Sequence, residues 1–320
     1  MKKKTMHIII IANILIIGLS FGLFFSGTDF SEEQKEQRNK IGACYMTMNN
    51  TYFQLLNNEI SAAVEEKGDI LITRDPAMNQ KRQNAQIEEL IEEGVKAIFL
   101  TPVDWKAIKP ALENAKKHHV IIIVVDSQVH DEELVDCTVV SDNYDAGVQI
   151  ANYLMSKTTS AKIVLLEQEN AKSCIDRIQG FTDTIAANKE YTIVDRSSTD
   201  GQVEKARTAM KHIIDFNSSF DTVFAVNSGS AMGAMVALQE SGLDEGINVC
   251  SIDGSPEEKK MIQKNKMMAT MAQFPETIGS KAAEVMYDLL AGKDREKEML
   301  IPEKLIAKFN IAGYDVDKWQ

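Results

Sequence analysis

The chain has 320 residues, 44% of them hydrophobic and 26% charged, which is ordinary globular material and enough for two domains of common size. Its formal charge is −12, and −14 once residues 1–30, with three lysines and one aspartate, are set aside. A body that acidic repels nucleic acid and anionic lipid, which excludes DNA binding as its business.

The amino terminus reads as an export signal. Lys2, Lys3 and Lys4 precede an apolar run over 8–25, and a charged stretch follows over 29–40. The run is long for a signal-peptide core and short for a span of roughly 20 residues, so a cleaved signal and an uncleaved anchor both stay open. The absence of a small-x-small cleavage site over 20–27 favours an anchor, with the body outside the cytoplasmic membrane; cleavage would leave it periplasmic or extracellular. Ile41-Gly42-Ala43-Cys44 imitates a lipidation box, but the charged stretch separates it from the apolar run.

From residue 40 onward, strand-length apolar runs alternate with helical patterns, the mark of repeated βαβ units and a parallel sheet. The pattern predicts strands over 41–46, 70–73, 95–100 and 120–125, and helices over 52–67 and 79–93, the latter stopped by Gly94. A third helix follows from Ala107, Ile108, Ala111, Leu112 and Ala115. The wholly apolar run over 120–125 belongs in a sheet covered on both faces. A second series begins after Ser141-Asp142-Asn143, with helices over 145–156, 173–188, 202–215, 230–241 and 256–264. Its strands fall over 162–166, 191–195, 221–226, 247–252 and 267–272. A helix over 276–291 and one extended tail over 299–311 are too short for a third domain. Cys44, Cys137, Cys174 and Cys250 lie far apart, with no C-x-x-C pair or His/Cys cluster, so a metal site is not expected. All but Cys174 fall in strand-like runs, where cysteine acts as a small buried hydrophobe.

In open parallel sheets a ligand sits beyond the carboxyl ends of the strands. Several strands here end in hydrogen-bonding residues: Asn49 and Asn50, Asp126, Asn227, Asp253 and Gln273, with Arg177 in the helix after Leu165-Leu166. Carboxylates and amides engage neighbouring hydroxyls, a guanidinium supplies a rigid fork of donors, and Tyr52 and Phe53 offer flat faces for C–H surface. These ingredients suit a polyhydroxy ligand between two lobes. Any one of the residues alone would be more simply read as a helix cap or turn; their recurrence points to a site.

From Lys40 to about Ile311 the chain resembles the type I periplasmic sugar-binding proteins, most closely the ribose-binding branch. Asn49-Asn50-Thr51-Tyr52-Phe53 resembles the family's N-N-P-F-F, Thr101-Pro102-Val103-Asp104 its N-P-T-D, and Val125-Asp126 its L-D. Ser141-Asp142-Asn143 resembles its S-D-N, Arg177-Ile178-Gln179-Gly180-Phe181 its R-x-x-G-F, and Phe224-Ala225-Val226-Asn227 its F-A-x-N. Ile252-Asp253-Gly254 matches F-D-G, and Ala272-Gln273 with Pro275 matches A-Q-x-P. The resemblance implies two doubly wound parallel-sheet α/β lobes joined by a three-segment hinge, near Asp142, Gln273 and Lys304, preceded by the N-terminal hydrophobic helix. It divides the chain into a signal or anchor (1–30), a linker (31–39), an N-terminal lobe (40–142 with 274–303) and a C-terminal lobe (143–273 with 304–320). The family's ligand contacts carry over to Asn50, Tyr52, Phe53, Asp126, Arg177, Asn227, Asp253 and Gln273, with Ser127 beside them where the family has arginine. Ser228 replaces the family's aspartate, and Gly201 stands where an aromatic closes the wall. The pocket is therefore expected to be roomier than a ribose site or to hold a different ligand.

The resemblance also implies a monomer that binds a sugar or polyol without catalysis, cofactor or metal, and works with an ABC permease or with a sensor kinase or chemoreceptor in the membrane. An enzyme is the first rival, yet no G-x-S-x-G, H-E-x-x-H or Walker loop is present, and the spacing over 229–233 is wrong for phosphate. Sugar-responsive repressors share this fold but need an N-terminal helix-turn-helix, a place taken here by the export segment.

Overall fold

The computed structural model describes residues 38–216 and 219–320. The expected export segment over 1–30 lies outside the described residues, and among those described no helix is long and apolar enough to cross a membrane. Lys40–Gln320 packs as one compact unit.

The chain runs β1 (Lys40–Cys44), α1 (Thr51–Glu66), β2 (Ile70–Arg74), α2 (Gln80–Glu92), β3 (Ala97–Leu100), α3 (Lys109–Lys117), β4 (Ile121–Val125) and β5 (Cys137–Ser141). It continues with α4 (Asn143–Lys157), β6 (Ala161–Glu167), α5 (Lys172–Ile185), β7 (Tyr191–Ser198), α6 (Val203–Phe216), β8 (Thr222–Ala225), α7 (Ser228–Glu240), β9 (Asn248–Asp253), α8 (Pro256–Gln263) and β10 (Ala269–Ala272). It ends with α9 (Pro275–Leu290), β11 (Glu298–Ile301) and β12 (Lys304–Ala307). The expected elements are all present, with ends shifted by a few residues. Two features differ. A strand over Cys137–Ser141, noted in the sequence only as a strand-like run around Cys137 and given no bounds, carries the chain out of the first sheet. The tail is not one extended run: it divides at Pro302 and Glu303, and its two strands join different sheets.

The two six-stranded sheets have equivalent orders, β11-β5-β4-β3-β1-β2 and β12-β10-β9-β8-β6-β7. All pairings are parallel except β10 with β12. Alternation along each central strand feeds two cores. Ile123 and Val125 of β4 pack with Ile41, Ala43, α1 and α9 on one face; Ile122 and Val124 pack with Leu90, Ile98 and Leu112 on the other. In the second sheet Val164 and Leu166 face the helices α6 and α7, while Ile163 and Leu165 face α4 and α5. Helices on both faces explain why β4, with the sequence IIIVV, lacks any polar residue. All four cysteines are free and buried, Cys174 included.

Three crossovers join the sheets and run side by side. Asp142, at the first, donates its backbone N–H to Ile301 O, next to the third (3.1 Å). Ser141 Oγ donates to Oε1 of Gln273 at the second (3.1 Å). Away from the hinge the lobes also touch: Asn170 Nδ2 donates to Val103 O (2.8 Å), and Trp105 N to Asn170 O (3.1 Å). The structure is thus the closed form.

Candidate functional site

A cavity of about 500 Å³ lies between the lobes at the carboxyl ends of the strands. Of the residues singled out in the sequence, Asn50, Tyr52, Phe53, Asp126, Arg177, Asn227, Asp253 and Gln273 all line it. They come from both lobes and from the hinge.

Local backbone chemistry sets each one in place. Asn50 caps α1, its Oδ1 accepting from Tyr52 N (2.9 Å), and Asn227 caps α7, accepting from Ser230 N (2.9 Å). Capping occupies the amide oxygen of each and leaves its nitrogen to donate toward the cavity, so the capping and lining roles coexist. The two strand-end aspartates occupy backbone that L residues seldom adopt, φ +70° at Asp126 and +127° at Asp253. Strain of this kind persists where the surroundings over-determine it, and here it occurs at the equivalent point of each lobe.

Both oxygens of the second-lobe carboxylate already have partners within the protein. Asp253 Oδ2 accepts from Ser228 N (2.9 Å) and Ser228 Oγ (2.7 Å), and Oδ1 accepts from Gln273 Nε2 (2.7 Å). Arg177, buried on α5, donates through Nε to Asn143 Oδ1 (2.8 Å) and through Nη1 to Val226 O (2.8 Å), with Asp253 Oδ1 3.6 Å away. Burial opposes its charge, and the acidic groups around it, the Cys174 thiol, Glu303, Asp253 and Asp126, more than offset that, so its pKa rises. Tyr52 donates its hydroxyl to Gln273 Oε1 (3.2 Å) and also faces Asp126; burial, then the two aspartates, push the phenol well up.

Asp126 is different in kind. Burial pushes its carboxyl up to about 6, and Asp253 adds to the shift; Arg177 and the Tyr52 hydroxyl pull the other way without cancelling it. A second carboxyl, Glu303 in the third crossover, is buried with neither oxygen hydrogen-bonded. Burial raises it to about 8, Arg177 opposing and Asp253, Asp142 and Asp126 reinforcing. One guanidinium therefore serves three buried carboxyls.

Ser127 does not belong to the wall. It is fully buried, and its Oγ accepts from Ser173 N at the start of α5 (3.1 Å). The left-handed φ of Asp126 turns the next side chain away from the cavity into the contact between lobes. Sequence reasoning missed Gln168, which lines the cavity just after β6; it obeys the strand-end pattern that found the others. Met78, Met232 and Glu257 were also missed, and no sequence signal marks them, because loops and helix starts bring them to the cavity. Among the described residues no cluster of His, Cys, Asp or Glu could hold a metal.

The chain matches the periplasmic binding protein domain over residues 41–294. It is 32% identical over 267 residues to the ribose import binding protein RbsB of Bacillus subtilis, covering 83% of this chain and 86% of that protein. To the galactofuranose-binding protein YtfQ of Escherichia coli it is 27% identical over 258 residues, covering 78% and 79%. Among solved structures, the periplasmic binding protein component of the arabinose ABC transporter from Shewanella sp. ANA-3 superposes with a TM-score of 0.80 at 25% identity, covering 86% of this chain and 94% of that one. A solute binding protein from Mycobacterium smegmatis with bound glycerol superposes at 0.82, with 24% identity and 86% and 96% coverage. Two parallel-sheet lobes, a hinge of three crossovers and a polar cavity between them accord with these matches: the chain belongs to the periplasmic binding proteins, of type I architecture, and is a binding protein rather than an enzyme.

Proposed function

We propose that the chain captures a sugar or sugar-like polyol in the cleft and delivers it to an ABC transporter at the outer face of the cytoplasmic membrane. One observation carries the reading: hydrogen-bonding side chains from both lobes and the hinge converge on a single cavity. Asn50, Tyr52, Phe53 and Asp126 would bind from the N-terminal lobe (40–142 with 274–303). Arg177, Asn227 and Asp253 would bind from the C-terminal lobe (143–273 with 304–320), and Gln273 from the hinge between them. Asp126 accepts ligand hydroxyls, Arg177 and the amide nitrogens donate, and the two aromatic rings cover C–H surface. An open form loads on one lobe, and closure completes the hydrogen-bond shell and presents the closed surface to the permease. Residues 1–30 would serve as signal or anchor. Relatives named for ribose import support transport over the sensor-kinase alternative.

A thermal-shift screen of pentoses, hexoses, polyols and disaccharides tests the reading. Ligand at a hundred times its dissociation constant adds about 2.7 kcal/mol, roughly 4 °C in Tm for a chain of this size. At least one sugar or polyol is expected to give that shift; silence across the panel counts against the reading.

A further inference from the structure

The cavity is larger than a single sugar ring requires, and its two ends differ in chemistry. A free hexose has about twelve non-hydrogen atoms; even at roughly 30 Å³ each, the share of a molecule in liquid water and an overestimate for bonded atoms, it fills at most about 360 Å³. The cavity measures about 500 Å³. That surplus is not the gap of an open clamp, since the lobes already meet through Asn170 with Val103 and Ser173 with Ser127.

The polar cluster around Asp126, Arg177 and Asp253 makes one end. At the other, the turn from β7 into α6 passes Gly201 with φ +67°, so close that a Cβ there would stand 2.5 Å from both Asn227 Nδ2 and Gln168 Oε1. Gly201 itself puts no side chain into the wall, while Asp200 and Gln202 on either side of it line the cavity. Apolar side chains join the lining here beside Asp200, Gln202 and Glu204: Val203 begins α6, Met232 lies on α7, and Met78 comes from the opposite lobe. The start of α6 packs closely against α7: a Cβ on Gly233, next to Met232, would fall 2.3 Å from the backbone oxygen of Val203. Val203 keeps 39% of its surface exposed, so it offers apolar area to a ligand in the cavity. Asp200, Glu204 and Glu257 also line the cavity, and among the described lining residues Arg177 is the one cation.

We infer that the cleft takes a sugar extended at one end, a glycoside or disaccharide whose first ring meets the polar cluster and whose uncharged or cationic substituent lies against Met78, Val203 and Met232. The inference rests on the sugar-binding reading above and deepens it. Like-charge repulsion from Glu204 and Glu257 disfavours phosphorylated sugars and uronates, while Asp200 is paired with Lys205.

Titration calorimetry of the full chain with D-galactose, D-glucose and D-ribose, each beside its methyl and phenyl glycosides in both anomers, and with galactose 1-phosphate, tests it. One phenyl glycoside is expected to bind about tenfold tighter than its free sugar, the effect of burying roughly two methylene equivalents. The phosphate ester binds more weakly than galactose, and Met232→Trp, which fills the apolar end, brings the glycoside-to-free-sugar ratio close to one. Free sugars that bind while every glycoside binds more weakly overturn the extension and leave the sugar-binding reading standing. A glycoside preference that survives Met232→Trp overturns its placement. No binding by any of these compounds, after silence in the wider screen, overturns both readings.

Discussion

An unfolded aspartate releases its proton near 3.8, whereas folded Asp126 holds its own until about 6. Between those values the folded state binds more protons, so stability falls as pH rises through the window and stays lower above it. The difference amounts to roughly 3 kcal/mol. Asp126→Asn removes this loss: at pH 7 the unliganded variant should unfold at a higher temperature than the parent, and the gap should close as pH falls below 4. A ligand hydroxyl that donates to Asp126 favours its ionised form, so sugar affinity in the parent should rise with pH up to about 6 and level off above. Melting curves and calorimetric titrations over that range check both statements. A side chain that costs stability when empty and gains a partner when filled is the expected trade at a binding site. Asp126, Asn227, Asp253 and Gln273 were legible because each stands at or just past the end of a strand. The direction of the next side chain was not: Ser127 occupies the family's arginine position, yet the backbone at Asp126 turns it into the lobe contact.

Helices α4 and α5 cross backbone to backbone. A Cβ on Gly147 would stand 2.1 Å from Arg177 O, and one on Gly180 would stand 2.0 Å from Tyr144 O. Neither glycine is needed for an unusual φ; both are needed for the approach, and the approach fixes where Arg177 enters the cavity. Gly180→Ala should therefore destabilise by about 2 kcal/mol or more in chemical denaturation, and it should weaken sugar binding because α5 carries Arg177. Elements of this kind could be read from the sequence within a few residues, since apolar runs and 3.6-residue spacing reflect local burial. Sheet membership could not. Met299 and Leu305 look like parts of one extended run, and only long-range pairing sends β11 to β5 and β12 to β10.

At the scale of the whole molecule, two sheets of equivalent strand order face each other across a hinge whose three crossovers are hydrogen-bonded to one another. Glu303, with neither oxygen hydrogen-bonded, lies in the last of these crossovers, so charge in the cleft and the path of the hinge are physically coupled. Alternating βαβ units foretold two such lobes, and the resemblance supplied the hinge; the closed contact through Asn170 and the apolar end of the cavity had no counterpart in pattern or motif. The proposed function has groups from both lobes acting on one ligand. The most direct test takes the sugar that gives the largest thermal shift and compares Asp126→Ala, Asp253→Ala and Lys81→Ala by titration calorimetry, Lys81 lying exposed on α2. Losing a hydrogen bond to a charged group costs about 1.5 to 3 kcal/mol, so each aspartate variant should lose roughly tenfold to a hundredfold in affinity, while Lys81→Ala binds as the parent does. Parental affinity in both aspartate variants would contradict the account.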